Sequence, residues 1–442
     1  MKQENKFLSD LFIELNKLDI KYCVLRNYEG LPNSLNGSDL DILVSQKDLK
    51  SFYIILYKIL RLNNGNIIVK YGKLTPRICV TGINSSGCYG VQFDVHENIL
   101  PYKTNNMFPV EFLLERSNLY NDILVANDDD ANIIAFFKEI FNNGICKKQY
   151  FNNFKLSWTK NKDLYKKMLF SIYNENFLVA LDELSMKEYN ENEIYKLSKY
   201  GQRILEKGLI VKLNNFTSKI SRFYRFFNPP GFTIAILGTD GAGKTTIIDA
   251  ISEPLNEAVH NALYYEHMRP NLIPNIAQLF GKQKQSGSVV NPHEAKPSGF
   301  LGSLLRLFYY SFDYIFGFWF KVYPIIVKKS SIWIFDRYYY DYLIDQKRAK
   351  MNLPKWIIKG MGIVIPKPNL IICLGTEAEI IHKRKPELPL EEIEYQVNIL
   401  KTFCNNEQKA IWVDTGTSLD KSIETTFNII KNKMADRYNE RY

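Results

Sequence analysis

The chain has 442 residues, a formal net charge of +10 and a 46% hydrophobic composition. That length exceeds one core and predicts two or three domains, while the apolar content excludes global disorder. The positive balance suits phosphates, nucleic acid or an anionic membrane surface. No basic run is dense enough for a clear nucleic-acid site, so the lysines read as a solvated surface.

The six cysteines, Cys23, Cys79, Cys88, Cys146, Cys373 and Cys404, form no CxxC pair, and their spacing suggests neither zinc nor a disulfide framework. A reducing, cytoplasmic location is the expectation. The opening MKQENKFLSD lacks the apolar core of a signal peptide.

In chain order, a helix is predicted over residues 7–18, followed by strands at 22–25, 40–44 and 90–95. Asp128, Asp129 and Asp130 precede an apolar-periodic helix over 131–141. Carboxylates at a helix start cap free N–H groups and meet the positive dipole end, which explains the triplet better than a metal site. Residues 155–213 read as helical. Pro229, Pro230 and Gly231 follow a basic, aromatic stretch at 218–228 and mark a boundary. That stretch reads as a linker packed on a domain, with peripheral membrane association as the alternative. The expected organisation is a mixed α/β domain (1–125), a helical extension (126–217), a linker (218–231) and a parallel-sheet α/β domain (232–442).

Two motifs carry chemistry. In Gly37-Ser38-Asp39-Leu40-Asp41 the two acids stand two residues apart on a predicted strand, so both point to one face. Asp94 lies in a second strand-like segment, and if the strands are neighbours the three carboxylates converge on a metal site. The pattern resembles the nucleotidyltransferase family related to polymerase beta, over about residues 1–150. The resemblance implies that Asp39, Asp41 and Asp94 bind catalytic metal and that Asp94 activates the attacking hydroxyl. The family's Gly-Ser, about ten residues before the first acid, is replaced by Leu25-Arg26-Asn27, and Arg26 is the candidate phosphate ligand in its place.

In the second motif, the apolar run Phe232-Thr233-Ile234-Ala235-Ile236-Leu237 leads into Gly238-Thr239-Asp240-Gly241-Ala242-Gly243-Lys244-Thr245 and a helical pattern from Thr246. This is a complete GxxxxGK[ST] loop between strand and helix. Its glycines let backbone N–H groups surround phosphates, Lys244 neutralises their charge and the Thr245 hydroxyl can hold Mg²⁺. A second strand at 332–335 ends at Asp336-Arg337-Tyr338. An acid there can organise Mg²⁺, and Arg337 can steady phosphates.

Together these residues resemble the thymidylate kinase family over about residues 231–435. The resemblance implies a P-loop fold using ATP and Mg²⁺, further strands at 368–374 and 410–414, and lid cations among Lys383, Arg384 and Lys385. On the acceptor side the sequence departs. No Ser follows Asp336-Arg337-Tyr338, His267-Met268-Arg269-Pro270 replaces an Arg-Glu-Pro-Gly-Gly loop, and an insertion at 281–299 contains Asn291, Pro292 and His293. Thymidylate-kinase-like proteins of bacterial surface polysaccharide synthesis are more similar in these features. A sugar, polyol or nucleotide acceptor is expected, contacted by His267, Arg269, Arg306, Asp313 and Asp341. If the acceptor is a hydroxyl, Asp341 or Asp313 takes its proton.

The aromatic segment 300–327 carries Arg306, Asp313 and Lys321 on one side of a helix, which argues against a membrane span. A buried helix with one polar edge is expected. The leading functional expectation is a bifunctional transferase that joins a kinase to a nucleotidyltransferase. The alternatives are a kinase with a non-catalytic N-terminal binding module, and a nucleotide-triggered regulator that modifies protein or RNA.

Overall fold

The computed structural model describes residues 5–72, 76–97, 110–170, 172–205, 220, 223–274 and 297–440. The chain divides into two compact units, Met1–Tyr224 and Arg225–Tyr442.

In the first unit, α1 (Lys6–Lys17) begins at Asn5, whose side chain accepts from the Leu8 N–H. Its buried edge packs on the sheet: Phe7 stacks on Tyr89 with ring centroids 4.9 Å apart, and Phe12 stacks on Tyr22. The next elements are β1 (Tyr22–Val24), β2 (Leu40–Val44), α2 (Leu49–Leu62), β3 (Gly65–Tyr71), β4 (Arg77–Asn84) and β5 (Gly87–His96). After them come α3 (Val110–Glu115), β6 (Asn118–Tyr120) and β7 (Ile123–Val125). The sheet order is β3-β4-β5-β2-β1-β7-β6. Its decisive pairing is β2 parallel to β5, which sets Asp41 opposite Asp94.

Among the described residues, α4 (Asp128–Asn143), α5 (Lys148–Leu169), α6 (Glu175–Met186) and α7 (Glu191–Leu205) follow in this unit. The aromatic side chains Phe136, Phe137, Phe154, Trp158 and Phe177 share one core with Cys23, Leu25 and Leu43 of the sheet. The acidic triplet lies in the first turn of α4, where Asn127 caps the Asp129 N–H. Asp130 does more than meet the dipole. It is buried and accepts from Arg116 Nε at 2.9 Å and Tyr165 OH at 2.7 Å, tying α4 to α5. The rest of the expected helical stretch, 206–213, lies outside the described residues.

The second unit is an α/β fold on a parallel sheet ordered β12-β11-β8-β10-β9. Its elements are β8 (Phe232–Gly238), α8 (Lys244–Ala258), β9 (Leu263–His267), α9 (Phe300–Gly317), α10 (Tyr323–Lys328), β10 (Ile332–Asp336), α11 (Asp341–Ile344), α12 (Lys355–Gly362), β11 (Leu370–Gly375), α13 (Ala378–Arg384), α14 (Leu390–Asn406), β12 (Ala410–Asp414) and α15 (Leu419–Asn439). Every residue of β8 is buried, as its unbroken apolar run requires for a central parallel strand. A crevice outside the C-terminal strand ends, where chain order along the sheet reverses, is where such folds hold ligands. Most of the 281–299 insertion, including Asn291, Pro292 and His293, lies outside the described residues.

Segment 300–328 corrects one expectation. It is helical, with a π-turn at Phe318–Val322 between α9 and α10. Its polar edge turns inward, with Asp313 wholly buried, while Leu301, Leu305, Phe308, Phe312, Trp319 and Phe320 are exposed. The reversal has a cause: Asp313 accepts from the backbone N–H groups of Asn271, Leu272 and Ile273 at 3.1, 2.8 and 3.0 Å, so an adjoining loop requires the acid inside. No helix among the described residues is long and apolar enough to cross a membrane.

Candidate phosphate and metal sites

In the second unit, β8 delivers the loop 238–243 to the start of α8. Gly241 and Gly243 adopt φ of +86° and +85°, which a side chain would strain. Gly238 is required by contact instead: a Cβ there would lie 2.7 Å from the Leu374 carbonyl oxygen on β11. Lys244 is buried and donates to the carbonyls of Gly238 and Thr239, each at 2.9 Å, so its ammonium closes the loop on itself. Burial pushes its amine down to about 7, with the Arg337 charge adding to the effect. Thr245 and Thr246 are exposed at the helix start.

Asp336 ends β10, directly beside β8. One carboxylate oxygen accepts from Tyr265 OH at 3.0 Å, and the other is buried without a partner among the described residues. With the exposed Thr245 hydroxyl, that orphaned oxygen fits the donor set of a Mg²⁺ site. Arg337 follows in the left-handed region at φ +71°. Its guanidinium donates to Asp341 at 2.7 Å and to Asp240 of the loop. Arg348 also binds Asp240 and lies 3.3 Å from Asp345. Burial opposes ionisation of Asp240, but the charges of Arg337, Lys244 and Arg348 hold its carboxyl well below the usual range. Asp341 is fully buried and keeps one oxygen without a partner among the described residues.

The predicted acceptor residues separate. His267 is exposed at the end of β9 in register with Asp336, and burial of its surroundings lowers its imidazole pKa. Arg269 and Asp313 instead bind each other at 2.7 Å, both buried. Asp313 thus has four donors and clamps the 269–273 loop, so in this structure its carboxylate is engaged by the protein itself. Arg306 donates to Ser298 at 3.0 Å, outside this cluster. Of the lid cations, Arg384 donates to the Thr415 carbonyl at 2.8 Å, whereas Lys383 is exposed. The end of α13 does reach the loop, since a Cβ on Gly241 would lie 3.1 Å from Lys385 Cβ.

No protein-family model matches the chain. Over 212 residues, 45% of this chain and 98% of the relative, it is 28% identical to a probable thymidylate kinase of Archaeoglobus fulgidus. Among solved structures, a thymidylate kinase from Ehrlichia chaffeensis is 15% identical over 46% of this chain and 98% of that one, with a TM-score of 0.31. A thymidylate kinase from Candida albicans is 19% identical over 46% and 93%, with a TM-score of 0.35. A thymidylate-kinase-like segment therefore accounts for somewhat under half of the chain.

In the first unit the structure brings Asp39, Asp41 and Asp94 together, with one oxygen of each within 4.8 Å of the others. All three are buried, and three carboxylates at that spacing fit a hard divalent cation. Their neighbours are basic. Asp41 accepts from Arg26 Nε and pairs with His96 Nε2 at 3.0 Å, and Lys138 Nζ lies 3.5 Å away. Burial pulls the Asp41 carboxyl up, but the His96 hydrogen bond and the charges of Lys138 and Arg26 outweigh it and depress the pKa. Asp94 shifts the other way: burial raises it, Asp39 and Asp41 add, and Arg77 opposes.

Sequence reasoning passed over Arg348 and Tyr265 in the second unit, and Arg77, His96 and Lys138 in the first. His96 stands two residues from Asp94, so strand periodicity alone would have put it on the acid face. Arg348 and Lys138 left no such signal.

Proposed function

We propose that the second unit is an ATP- and Mg²⁺-dependent kinase acting on a small-molecule acceptor. The observation that carries this is the buried junction of loop 238–245 with Asp336 and Arg337, where a lysine, an arginine and an orphaned carboxylate oxygen meet outside the strand ends. Thr245 and Asp336 would hold Mg²⁺, which supplies charge neutralisation on the β- and γ-phosphates. Lys244 leaves its two carbonyl partners for phosphate oxygens, and the loop N–H groups orient the triphosphate. The acceptor oxygen forms a bond to the γ-phosphorus, a hydroxyl acceptor giving its proton to Asp341, while the bond to the β,γ-bridging oxygen breaks and ADP departs with that electron pair. Similarity to a probable thymidylate kinase supports a nucleotide acceptor, while the altered His267–Pro270 loop favours a sugar or polyol.

For the first unit, the convergence of Asp39, Asp41 and Asp94 supports metal-dependent nucleotidyl transfer. The chain would then be a bifunctional transferase, and resemblance to surface polysaccharide proteins motivates a role in precursor synthesis. A second reading, a non-catalytic binding module, is favoured by the engagement of Asp41 with Arg26, His96 and Lys138.

The test is acceptor-dependent ADP formation by the full chain with ATP and Mg²⁺, offering dTMP, sugars, sugar phosphates and polyols. At least one acceptor should stimulate ADP release, and Lys244→Ala should abolish it. If no acceptor does so, or if stimulation survives in Lys244→Ala, the kinase reading fails. Label transfer from α-³²P-ATP that is lost in Asp41→Ala supports nucleotidyl transfer, and its absence with every acceptor favours the binding module.

A further inference from the structure

Four adjacent strands of the first unit arrange charge in a row. Arg77, which opens β4, lies opposite Asp94 of β5, and Asp94 lies opposite Asp41 of β2. Residues in register share a face of the sheet. Arg77 Nε is 3.4 Å from Asp94, so the row begins cation, acid, acid. Arg26, two residues past β1, closes it, with Nε on Asp41 and an outer nitrogen 3.5 Å from Asp39. Lys138 reaches Asp41 from α4.

Depth separates the two signs. The side chains of Asp41, Asp94 and Asp39 are 1%, 8% and 10% exposed, whereas those of Lys138, Arg26 and Arg77 are 28%, 42% and 48% exposed. Carboxylates form the floor and cations the mouth. A bare divalent cation approaching this floor meets three positive charges. A divalent cation carrying phosphates meets none unpaired, because phosphate oxygens take the cations as the carboxylates turn to the metal.

Two further observations point to such a ligand. Residues 26–38 form turns, with no helix start there to hold a phosphate through its N–H groups, so a triphosphate depends on side chains. His96, only 4% exposed, binds Asp41 through Nε2 and leaves Nδ1, a buried polar atom beside the acids, without a partner among the described residues.

We propose that Arg26, Arg77 and Lys138 form the triphosphate grip of the first unit, and that this site holds a divalent cation more tightly as its complex with a triphosphate than bare. The inference rests on the nucleotidyl-transfer reading and adds a grip built from separate strands and a helix.

The experiment uses the full chain with Lys244→Ala, which weakens the other triphosphate site. Binding of Mn²⁺ alone, and of Mn²⁺ with α,β-methylene-ATP, is followed by the free-Mn²⁺ electron paramagnetic resonance signal. The component removed by adding Asp41→Asn is assigned to the first unit. Within it, Arg77→Gln with Lys138→Gln should weaken the Mn²⁺–nucleotide complex by about tenfold per lost charge-assisted hydrogen bond. The same pair should tighten bare Mn²⁺ by about tenfold, since charges that repelled it are gone. Arg77→Lys with Lys138→Arg should restore both affinities. Opposite signs for the two ligands are not produced by misfolding, which weakens both. Equal or parallel effects overturn the inference alone. If Asp41→Asn removes no component, the nucleotidyl-transfer reading falls with it.

Discussion

Replacing Arg337 with methionine keeps most of its volume and removes its charge. In the native site the guanidinium is the hydrogen-bond donor to Asp341, whose side chain is 0% exposed and whose second oxygen has no partner among the described residues. Asp240 keeps Arg348 and Lys244 as counter-charges, so Asp341 is the stranded group. A carboxylate left alone in a dry site is an uncompensated buried charge, and removing one partner of a buried ion pair costs roughly 3–5 kcal/mol.

The expected deficit is therefore about 4 kcal/mol at pH 7. Adding Asp341→Asn should recover most of it, because no buried charge is then left alone. Hydrogen exchange of peptides covering Ile332–Asp336 reads the opening of this unit without confusion from the other. A deficit below about 1 kcal/mol, or one that Asp341→Asn does not relieve, would refute the claim that this pair is dry and mutually compensated.

Asp313→Leu should cost about 3 kcal/mol or more by stranding three backbone N–H groups and weakening the hold on Arg269, read as lost protection over 271–273. Gly238→Ala should destabilise by about 1–3 kcal/mol through contact with the Leu374 carbonyl, whereas Gly243→Ala, with no atom within 4 Å, should pay only the left-handed strain of about 1–2 kcal/mol; denaturant midpoints compare them. Asp182 accepts from Lys162, Lys166 and Trp158; burial opposes these donors, but they hold its carboxyl below the ordinary 3.8. Its stabilisation is complete above pH 3.8 and fades as pH falls through the lower folded-state value, so the melting difference between Asp182→Asn and the parent should be present at pH 7 and vanish in strong acid.

What the sequence disclosed, and what it concealed, divides along local and tertiary lines. The strand at 332–335 was legible as an apolar run bounded by turns, whereas that at 410–414 was expected through the family resemblance. The convergence of Asp39 and Asp41 followed from period two, and Asp94 joined them because β5 pairs with β2 in parallel register. The 300–328 helix was misread because its aromatic residues outnumber its charges. Burial there is decided by Asp313, whose three backbone partners belong to a loop some forty residues earlier. Asp313 was named as a candidate acceptor contact on that polar edge, and only the fold shows the four donors it already holds. Arg348 and Lys138 are surface-type residues on their own helices, and only the fold shows where they reach.

Both sites follow one electrostatic rule. Each holds acids that would be costly to bury alone, and each offsets them with its own cations: Arg337 and Arg348 for Asp240 and Asp341, and Arg26, Arg77 and Lys138 for the triad. On the proposed readings, a phosphate ligand arriving at either site would exchange one anion for another and would not add charge to an empty cradle. Lys244 makes the same point with neutral partners, since its two carbonyl bonds must break before it can meet a phosphate. The net attraction would then be the difference between two well-paired states. At the triad a divalent cation would give the displaced carboxylates a new counter-ion, so that metal and phosphate would bind more strongly together than either alone.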